Sequence, residues 1–118
     1  SFGKIIKEAD KAADELEKEG ISCEIIDLRT VKPLDYEAIL KSVKKTNRLV
    51  VLEEAWPFGN VATEITYHVQ AHAFDYLDAP VVKINTADTP APYSPVLLEE
   101  WLPNHKDVVE AVKRVLYK

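Results

Sequence analysis

Asp27-Leu28-Arg29-Thr30-Val31-Lys32-Pro33-Leu34-Asp35 joins two runs of different period. Before it, Cys23 to Leu28 reads as a buried strand, with Leu28 as its last apolar residue. After it, Tyr36 to Lys45 reads as an amphipathic helix. Asp27, Arg29 and Thr30 can hydrogen-bond a loop that leaves a sheet edge. Pro33 has no N–H and disfavours helix at the residue before it, so it separates strand from helix. Asp35 stands where an N-cap belongs. A strand, a polar loop and a helix in this order form the unit in which α/β proteins usually place their contacts.

The flanking sequence extends the pattern. Lys4 to Glu19 reads as a helix, with Ile5, Ile6, Ala9, Ala12, Ala13 and Leu16 recurring at helical spacing. Gly20 is placed to end it, and a strand is expected over Ile21 to Leu28. The second helix, Asp35 to Lys45, turns Ile39, Leu40 and Val43 inward. Arg48 to Glu53 holds Leu49-Val50-Val51-Leu52, a continuous apolar run typical of a strand covered on both faces. Pro57-Phe58-Gly59-Asn60 reads as a loop, with Asn60 capping a third helix that reaches about Phe74. Its inward line is Val61, Ile65, Val69 and Ala73. Val81 to Ile84 reads as a third strand, and Thr86 to Pro103 as a long proline-rich connection. Asn104 caps the last helix, which turns Val108, Val112, Val115 and Leu116 inward. This order predicts an α/β fold, a three-layer α/β/α arrangement around a mostly parallel sheet. Phe2-Gly3 reads as the close of a strand that is otherwise missing at the amino end.

The chain has 118 residues, 47% apolar and 30% charged, which suits a single globular domain spanning 1–118. Its net charge of -5 speaks against a nucleic-acid partner and suits docking on a basic one. No apolar run approaches the ~20 residues of a membrane-spanning helix. Cys23 is the only cysteine, so no internal disulfide forms, and its strand position marks a buried, inert thiol.

Few residues offer chemistry. Glu64, His68 and His72 lie four apart on one helical face, the spacing at which two imidazoles and a carboxylate can hold zinc. A solvated polar stripe is the plainer reading, since no further ligand completes the set. Glu53 and Glu54 are adjacent on a strand, so they point to opposite faces and read as structural or interface groups. Trp56-Pro57-Phe58 puts two large rings in a loop, a pattern of docking surfaces. Asp88-Thr89-Pro90-Ala91-Pro92-Tyr93 is stiffened by its prolines. With Tyr93 and Trp101 it reads either as a rigid connector or as part of a subunit interface. There is no glycine-rich phosphate loop and no Ser-His-Asp or Cys-His set. No catalytic, cofactor-binding or metal residue is assigned from the residues alone.

A series of segments resembles one family. Gly20-Ile21-Ser22-Cys23-Glu24-Ile25-Ile26-Asp27-Leu28-Arg29-Thr30, Pro33-Leu34-Asp35 and Lys45-Thr46-Asn47-Arg48-Leu49-Val50-Val51-Leu52-Glu53-Glu54 come first. Leu77-Asp78-Ala79-Pro80-Val81, Asp88-Thr89-Pro90-Ala91-Pro92-Tyr93 and Leu102-Pro103 follow in order. Together they resemble the transketolase-type C-terminal domain of the beta subunit of thiamine-diphosphate-dependent 2-oxoacid dehydrogenases. Glu54-Ala55-Trp56, Leu77-Asp78-Ala79-Pro80 and Pro92-Tyr93 are closer to pyruvate dehydrogenase than to the branched-chain members. Gly59-Asn60 departs from the family, where a second glycine is common.

The resemblance implies a fragment of a longer beta subunit that pairs with an alpha subunit and a second beta subunit in a heterotetramer. Thiamine diphosphate and Mg would sit outside this chain. The whole enzyme would decarboxylate a 2-oxoacid and acylate a lipoyl group, and this domain would build subunit contacts and dock the acyltransferase's subunit-binding domain. The interface candidates are then Trp56, Pro57, Phe58, Asp88, Pro92, Tyr93, Trp101, Tyr117 and Lys118. A terminal carboxylate beyond Tyr117-Lys118 could meet a basic group of that partner. The family sheet has five strands, two of them lacking here, one of which would end at Ser1-Phe2. The compartment would be cytoplasmic in a bacterium and the mitochondrial matrix or plastid in a eukaryote. The alternatives are the equivalent domain of transketolase or deoxyxylulose-phosphate synthase and, in another class, a small metal protein on Glu64, His68 and His72.

Overall fold

The Leu49–Leu52 run lies at the centre of the computed structural model, which describes residues 1–118. Val50–Leu52 forms β1 and pairs in parallel with β2, Val82–Ile84, in the register Val50 to Val82, Val51 to Lys83 and Leu52 to Ile84. Side chains alternate across a strand, so neighbouring residues of β1 enter different cores. Val51 packs with Ile39 and Val43 of α2 (Tyr36–Thr46) and with Ile65 and Val69 of α3 (Val61–Ala73). Leu52 and Ile84 pack with Ala12 and Leu16 of α1 (Ile6–Lys18) and with Val108 and Val109 of α5 (His105–Val115). The result is three layers, with a small parallel sheet between two pairs of helices.

Local chemistry sets the helix ends. Ile21 N–H closes onto Leu16 O and Gly20 N–H onto Glu17 O. Gly20 takes φ +77°, which a side chain would disfavour. Asp35 Oδ1 accepts the Ala38 N–H at 3.1 Å and starts α2. Asn60 Oδ1 does the same for α3 from Thr63 N–H at 2.9 Å. At α5, Asn104 and Asp107 form a reciprocal capping box. All three caps stand where the sequence predicts them. In the loop after Leu28, Thr30 Oγ1 donates to Pro33 O at 2.6 Å and Arg29 pairs with Asp27 at 2.9 Å.

Two expectations are corrected. The strand expected over Ile21 to Leu28 takes no regular secondary structure and joins no sheet. From Ser22 to Asp27 no backbone N–H meets a protein acceptor. Only Ser1 bonds the backbone here, donating its α-amino group to Ile26 O at 3.2 Å and accepting from Leu28 N–H at 2.9 Å. A ladder needs a neighbour along its whole length, and here the neighbour is one residue long. A side-chain tie adds to this: Glu24 accepts from Ser42 Oγ at 2.6 Å and from Lys45 Nζ at 3.0 Å, both on α2.

The connection Thr86 to Pro103 contains a further helix, α4 (Pro95–Trp101), with Pro95 in its first turn after Ser94. Proline is preorganised for that position, so the residue that signalled a loop begins a helix. No residue of α4 is buried.

Candidate interaction sites

The chain places its interface candidates at two ends of the sheet. At the carboxyl end of β1 an open cleft of about 830 Å³ is lined by Trp56, Phe58, Trp101, Glu53, Glu54 and Glu64 among others. Its floor is Glu53, which has no exposed surface. Both Glu53 carboxylate oxygens lie 3.3 Å from Ala62 N–H in the first turn of α3, and Oε1 accepts from Asn85 Nδ2 at 3.0 Å. A carboxylate at a helix N-terminus meets unpaired N–H groups and the positive end of the dipole. Glu53 therefore ties the end of β1 to α3 and to the residue after β2. Glu54, in the bend after β1, is exposed and lines the same cleft.

The two tryptophans share one acceptor. Trp56 Nε1 and Trp101 Nε1 each donate to Thr89 O at 2.9 Å. This carbonyl clasps the loop after β1, the proline-rich segment and α4 into one unit. Lys83 Nζ adds a second tie, donating to Pro57 O and Thr63 Oγ1, both at 2.9 Å. The stiff segment is thus a connector fixed to its own domain, and it still shows a face outward. Phe58 is 90% exposed, Tyr93 is fully exposed, and Val96 and Leu97 of α4 are exposed beyond it in sequence. Asp88 is also exposed, while Pro92 is half-buried. Trp56, Phe58 and Trp101 are brought together at the cleft, whose other wall includes Ala91 of the proline-rich segment. Sequence reasoning missed the placement of Glu53 under this cleft. The available signal was a carboxylate directly after an apolar strand and shortly before a capped helix.

Tyr117 and Lys118 lie apart from this group. Tyr117 Oη donates to Asp78 O at 3.4 Å, and Lys118 N–H donates to Lys113 O at 2.9 Å. Arg48, just before β1, donates to Val115 O at 2.9 Å and pairs with Asp78 at 3.6 Å. The chain's last residues therefore sit at the amino end of the sheet, opposite the tryptophan cleft.

The histidine face forms a stack. Tyr36 and His68 lie with ring centroids 3.7 Å apart, and His68 and His72 4.1 Å apart, all near parallel. Imidazole lone pairs lie in the ring plane, so stacked rings do not converge on one ion. His72 Nδ1 also lies 2.9 Å from His68 O. No group of three His, Cys, Asp or Glu side chains is placed to hold a metal. Partial burial, then the charge of His72, pulls the His68 pKa down. Cys23 is half-buried rather than buried, and burial pushes its thiol up, away from the reactive thiolate.

A diphosphate cofactor does not fit the cleft. Its lining includes three glutamates and no Lys, Arg or His, so an anion there would meet like charge.

Comparison with known proteins follows the same lines. The family model described as "Transketolase, C-terminal domain" matches residues 1–108. A protein named pyruvate dehydrogenase E1 component subunit beta from Rhizobium meliloti (strain 1021) is 52% identical over 118 residues, 100% of this chain and 26% of the relative. A relative with the same name, designated mitochondrial, from Dictyostelium discoideum is 46% identical over 97% of this chain and 32% of its own. Among solved structures, one titled "Split gene transketolase, inactive beta4 tetramer" matches with a TM-score of 0.86 and 30% identity, covering 98% of this chain and 37% of the other. The chain thus spans about a quarter to a third of the length of these relatives. With the model matched over nearly its whole length, the chain belongs to the transketolase C-terminal domain family.

Proposed function

We propose that this chain is the C-terminal domain of a pyruvate dehydrogenase E1 beta subunit and works there in assembly and docking. The observation that carries this reading is the 52% identity over all 118 residues to a protein of that name. The branched-chain enzyme, transketolase and deoxyxylulose-phosphate synthase are the competing parents, and the solved transketolase relative stands lower, at 30% identity. The whole enzyme would oxidatively decarboxylate pyruvate and acetylate lipoyl groups. Thiamine diphosphate and Mg would bind outside this chain, in keeping with an acidic cleft that suits no diphosphate.

The partners in this reading are an alpha subunit, a second beta subunit and the subunit-binding domain of a lipoyl acyltransferase. The surface bearing Phe58, Tyr93, Val96 and Leu97 is the face for a subunit contact, because such exposed apolar groups mark interfaces. The net charge of -5 favours a basic docking domain through faster encounter. Tyr117 and Lys118, at the opposite end, are the second candidate contact. The compartment would follow the source: bacterial cytoplasm, mitochondrial matrix or plastid.

The test mixes the 118-residue chain with a purified alpha subunit and lipoyl acyltransferase, with full-length beta subunit as control. The expected result is no pyruvate turnover and no retained coenzyme from the chain, together with binding of the acyltransferase that weakens as salt rises. Unaided decarboxylation of pyruvate, or no binding to either partner, would overturn the reading.

A further inference from the structure

Tyr36, His68 and His72 form a column of rings that joins the start of α2 to the last turn of α3. The planes of Tyr36 and His68 lie 17° apart at a centroid distance of 3.7 Å, and those of His68 and His72 lie 22° apart at 4.1 Å. His68, the middle ring, is half-buried, while His72 is exposed. One turn on from Tyr36 stand Ile39 and Leu40, so the column borders the α2/α3 core. His72 Nδ1 donates to His68 O, the carbonyl one turn back, at 2.9 Å. A carbonyl only accepts, so Nδ1 carries the hydrogen and Nε2 is the nitrogen left to gain or lose a proton. This bond fastens the last turn of α3 just before the 3-10 turn Phe74–Tyr76.

Neutral imidazoles stack without penalty, and one charged ring is tolerated. Two imidazolium charges ~4 Å apart repel by enough to part their titration steps by about 1 pH unit even in water-like surroundings. No ion pair offsets that repulsion. The only histidine in contact with a carboxylate is His105, beside Glu8 and Glu15. On α2, Asp35 spends its carboxylate on the helix cap, Glu37 follows Tyr36, and Lys44 lies over the Tyr76 ring, 5.3 Å from its centroid. On α3, Glu64 stands one turn before His68, and Asp75 lies in the turn after His72. The Tyr36–His68 contact behaves differently under charge, because the face of a tyrosine ring attracts a cation. The joint that fails on charging is therefore His68–His72. Burial first, and then the charge of His72, pulls the His68 pKa down, which makes His68 the ring that takes the second proton.

We propose that the His68–His72 pair is a pH-sensitive latch on the end of α3. It is closed with no proton or one proton added to the pair. A second proton parts the two rings, breaks the His72 bond to His68 O and leaves Tyr36 on His68. The part released is the last turn of α3 with the turn after it, which carries the exposed rings of Phe74 and Tyr76. The sign follows from linkage. His68 binds a proton less readily folded than unfolded, so its neutral form stabilises the fold above the ordinary value of 6.5. That contribution is lost as pH falls through the folded-state pKa. The inference is independent of the pyruvate reading, because it needs no partner, coenzyme or activity.

The test is an NMR titration of the protein from about pH 8 to pH 4. It follows the ring hydrogens of Tyr36 and the histidines, with His68→Asn and His72→Asn as assignments. Amide exchange is read at Ala73, in the last turn of α3, and at Leu77, whose N–H donates to Phe74 O at 3.1 Å. The pair is expected to titrate in two steps at least ~1 pH unit apart. Across the lower step, exchange at Ala73 and Leu77 should speed up by about tenfold beyond the intrinsic effect of pH. The Tyr36 ring should keep the shift that His68 gives it. In His72→Asn, His68 should titrate in one step, higher than in the parent by about 0.5 pH unit, with no acceleration of exchange. Steps within about 0.3 pH unit of each other would overturn the proposal. So would separate steps without faster exchange, or acceleration that persists in His72→Asn. If a variant does not fold, the separation of the steps and the change in exchange are read in the parent alone, and absence of either overturns it.

Discussion

Ile21–Leu28 and Leu49–Leu52 are both rich in apolar residues and flanked by helices, yet only the second is part of a sheet. The difference does not lie in the residues. Leu49–Leu52 has β2 beside it, and Ile21–Leu28 has a single residue, Ser1. An apolar run specifies extended backbone; a ladder is specified by whatever runs alongside. Both segments pack against the two cores, the first through Ile21 and Cys23 on one side and Ile26 and Leu28 on the other. The first adds the side-chain tie of Glu24 to Ser42 and Lys45, while the second is locked by backbone bonds to β2. The Ser42 hydroxyl first, and then Lys45, hold the Glu24 carboxyl below its usual range.

The largest test of that contrast falls on Glu53, where the locked strand is tied to α3. Glu53→Ala leaves the Ala62 N–H and the Asn85 amide without their buried acceptor. The expected loss is about 3 kcal/mol, near 12 °C in thermal midpoint for a domain of this size. Glu53→Gln keeps an acceptor oxygen and should lose about half as much. Thermal unfolding followed by circular dichroism reads both. A Glu53→Ala midpoint within two or three degrees of the parent, roughly 0.5 kcal/mol, would show that the tie contributes little.

The next comparison pits the two segments directly. Val51, with 2% of its surface exposed, sits in the α2/α3 core; Ile25, 37% exposed, belongs to the unpaired segment. Val51→Ala should cost about 2.5 kcal/mol and Ile25→Ala less than ~1 kcal/mol, because cavity cost follows how fully a site is packed. Urea titration gives the two values side by side. Equal losses would mean that the unpaired segment is as well packed as β1.

How much of this was legible beforehand follows the same division. Caps are local chemistry, and Asp35, Asn60 and Asn104 were all readable as helix starts. Helix faces are nearly local: Ile65 and Val69 were placed inward and are buried, although Ala62 rather than Val61 is the fully covered residue of the first turn. Strand membership of Ile21–Leu28 was not readable, since it depends on a neighbour. Nor was the meeting of Trp56 and Trp101 on Thr89 O, two donors 45 residues apart in sequence sharing one carbonyl. The α4 helix was hidden because proline serves both as a breaker and as a first-turn residue. At the candidate site, residue types pointed to the exposed rings of Phe58 and Tyr93 but said nothing of the buried carboxylate beneath the cleft.

The shared carbonyl supports a smaller prediction. Either Trp56→Phe or Trp101→Phe removes one of two donors, and Thr89 O keeps the other, so each alone should cost about 0.5 kcal/mol. Together they strand the carbonyl and release the proline-rich segment, and the double variant should lose about 1.5 kcal/mol, more than the sum. Limited proteolysis in the Thr86–Ser94 stretch should speed up only in the double variant. Strict additivity in the cycle would mean that the two indoles act separately.

The smallest expected effect concerns Glu8, which fastens α1 to the start of α5. Its Oε2 accepts the His105 N–H at 3.0 Å and its Oε1 meets Lys11 Nζ at 3.1 Å. Partial burial pushes this carboxyl up, but the Lys11 bond and the His105 N–H together outweigh it and hold the pKa below the ordinary value of 4.5. A carboxyl with a depressed folded-state pKa binds its proton less readily folded than unfolded, so protonation favours unfolding. Its contribution is therefore fully present above about pH 4.5 and is lost as pH falls through the folded-state pKa. Glu8→Gln cannot titrate there. The stability difference between parent and Glu8→Gln, read from urea midpoints between roughly pH 3 and pH 6, should shrink as the solution is acidified. Subtracting the two curves removes the like-signed contribution of Glu24, which titrates in both proteins. A difference that stays flat across the range would show that the contact holds α5 by shape alone, and that its charge adds nothing.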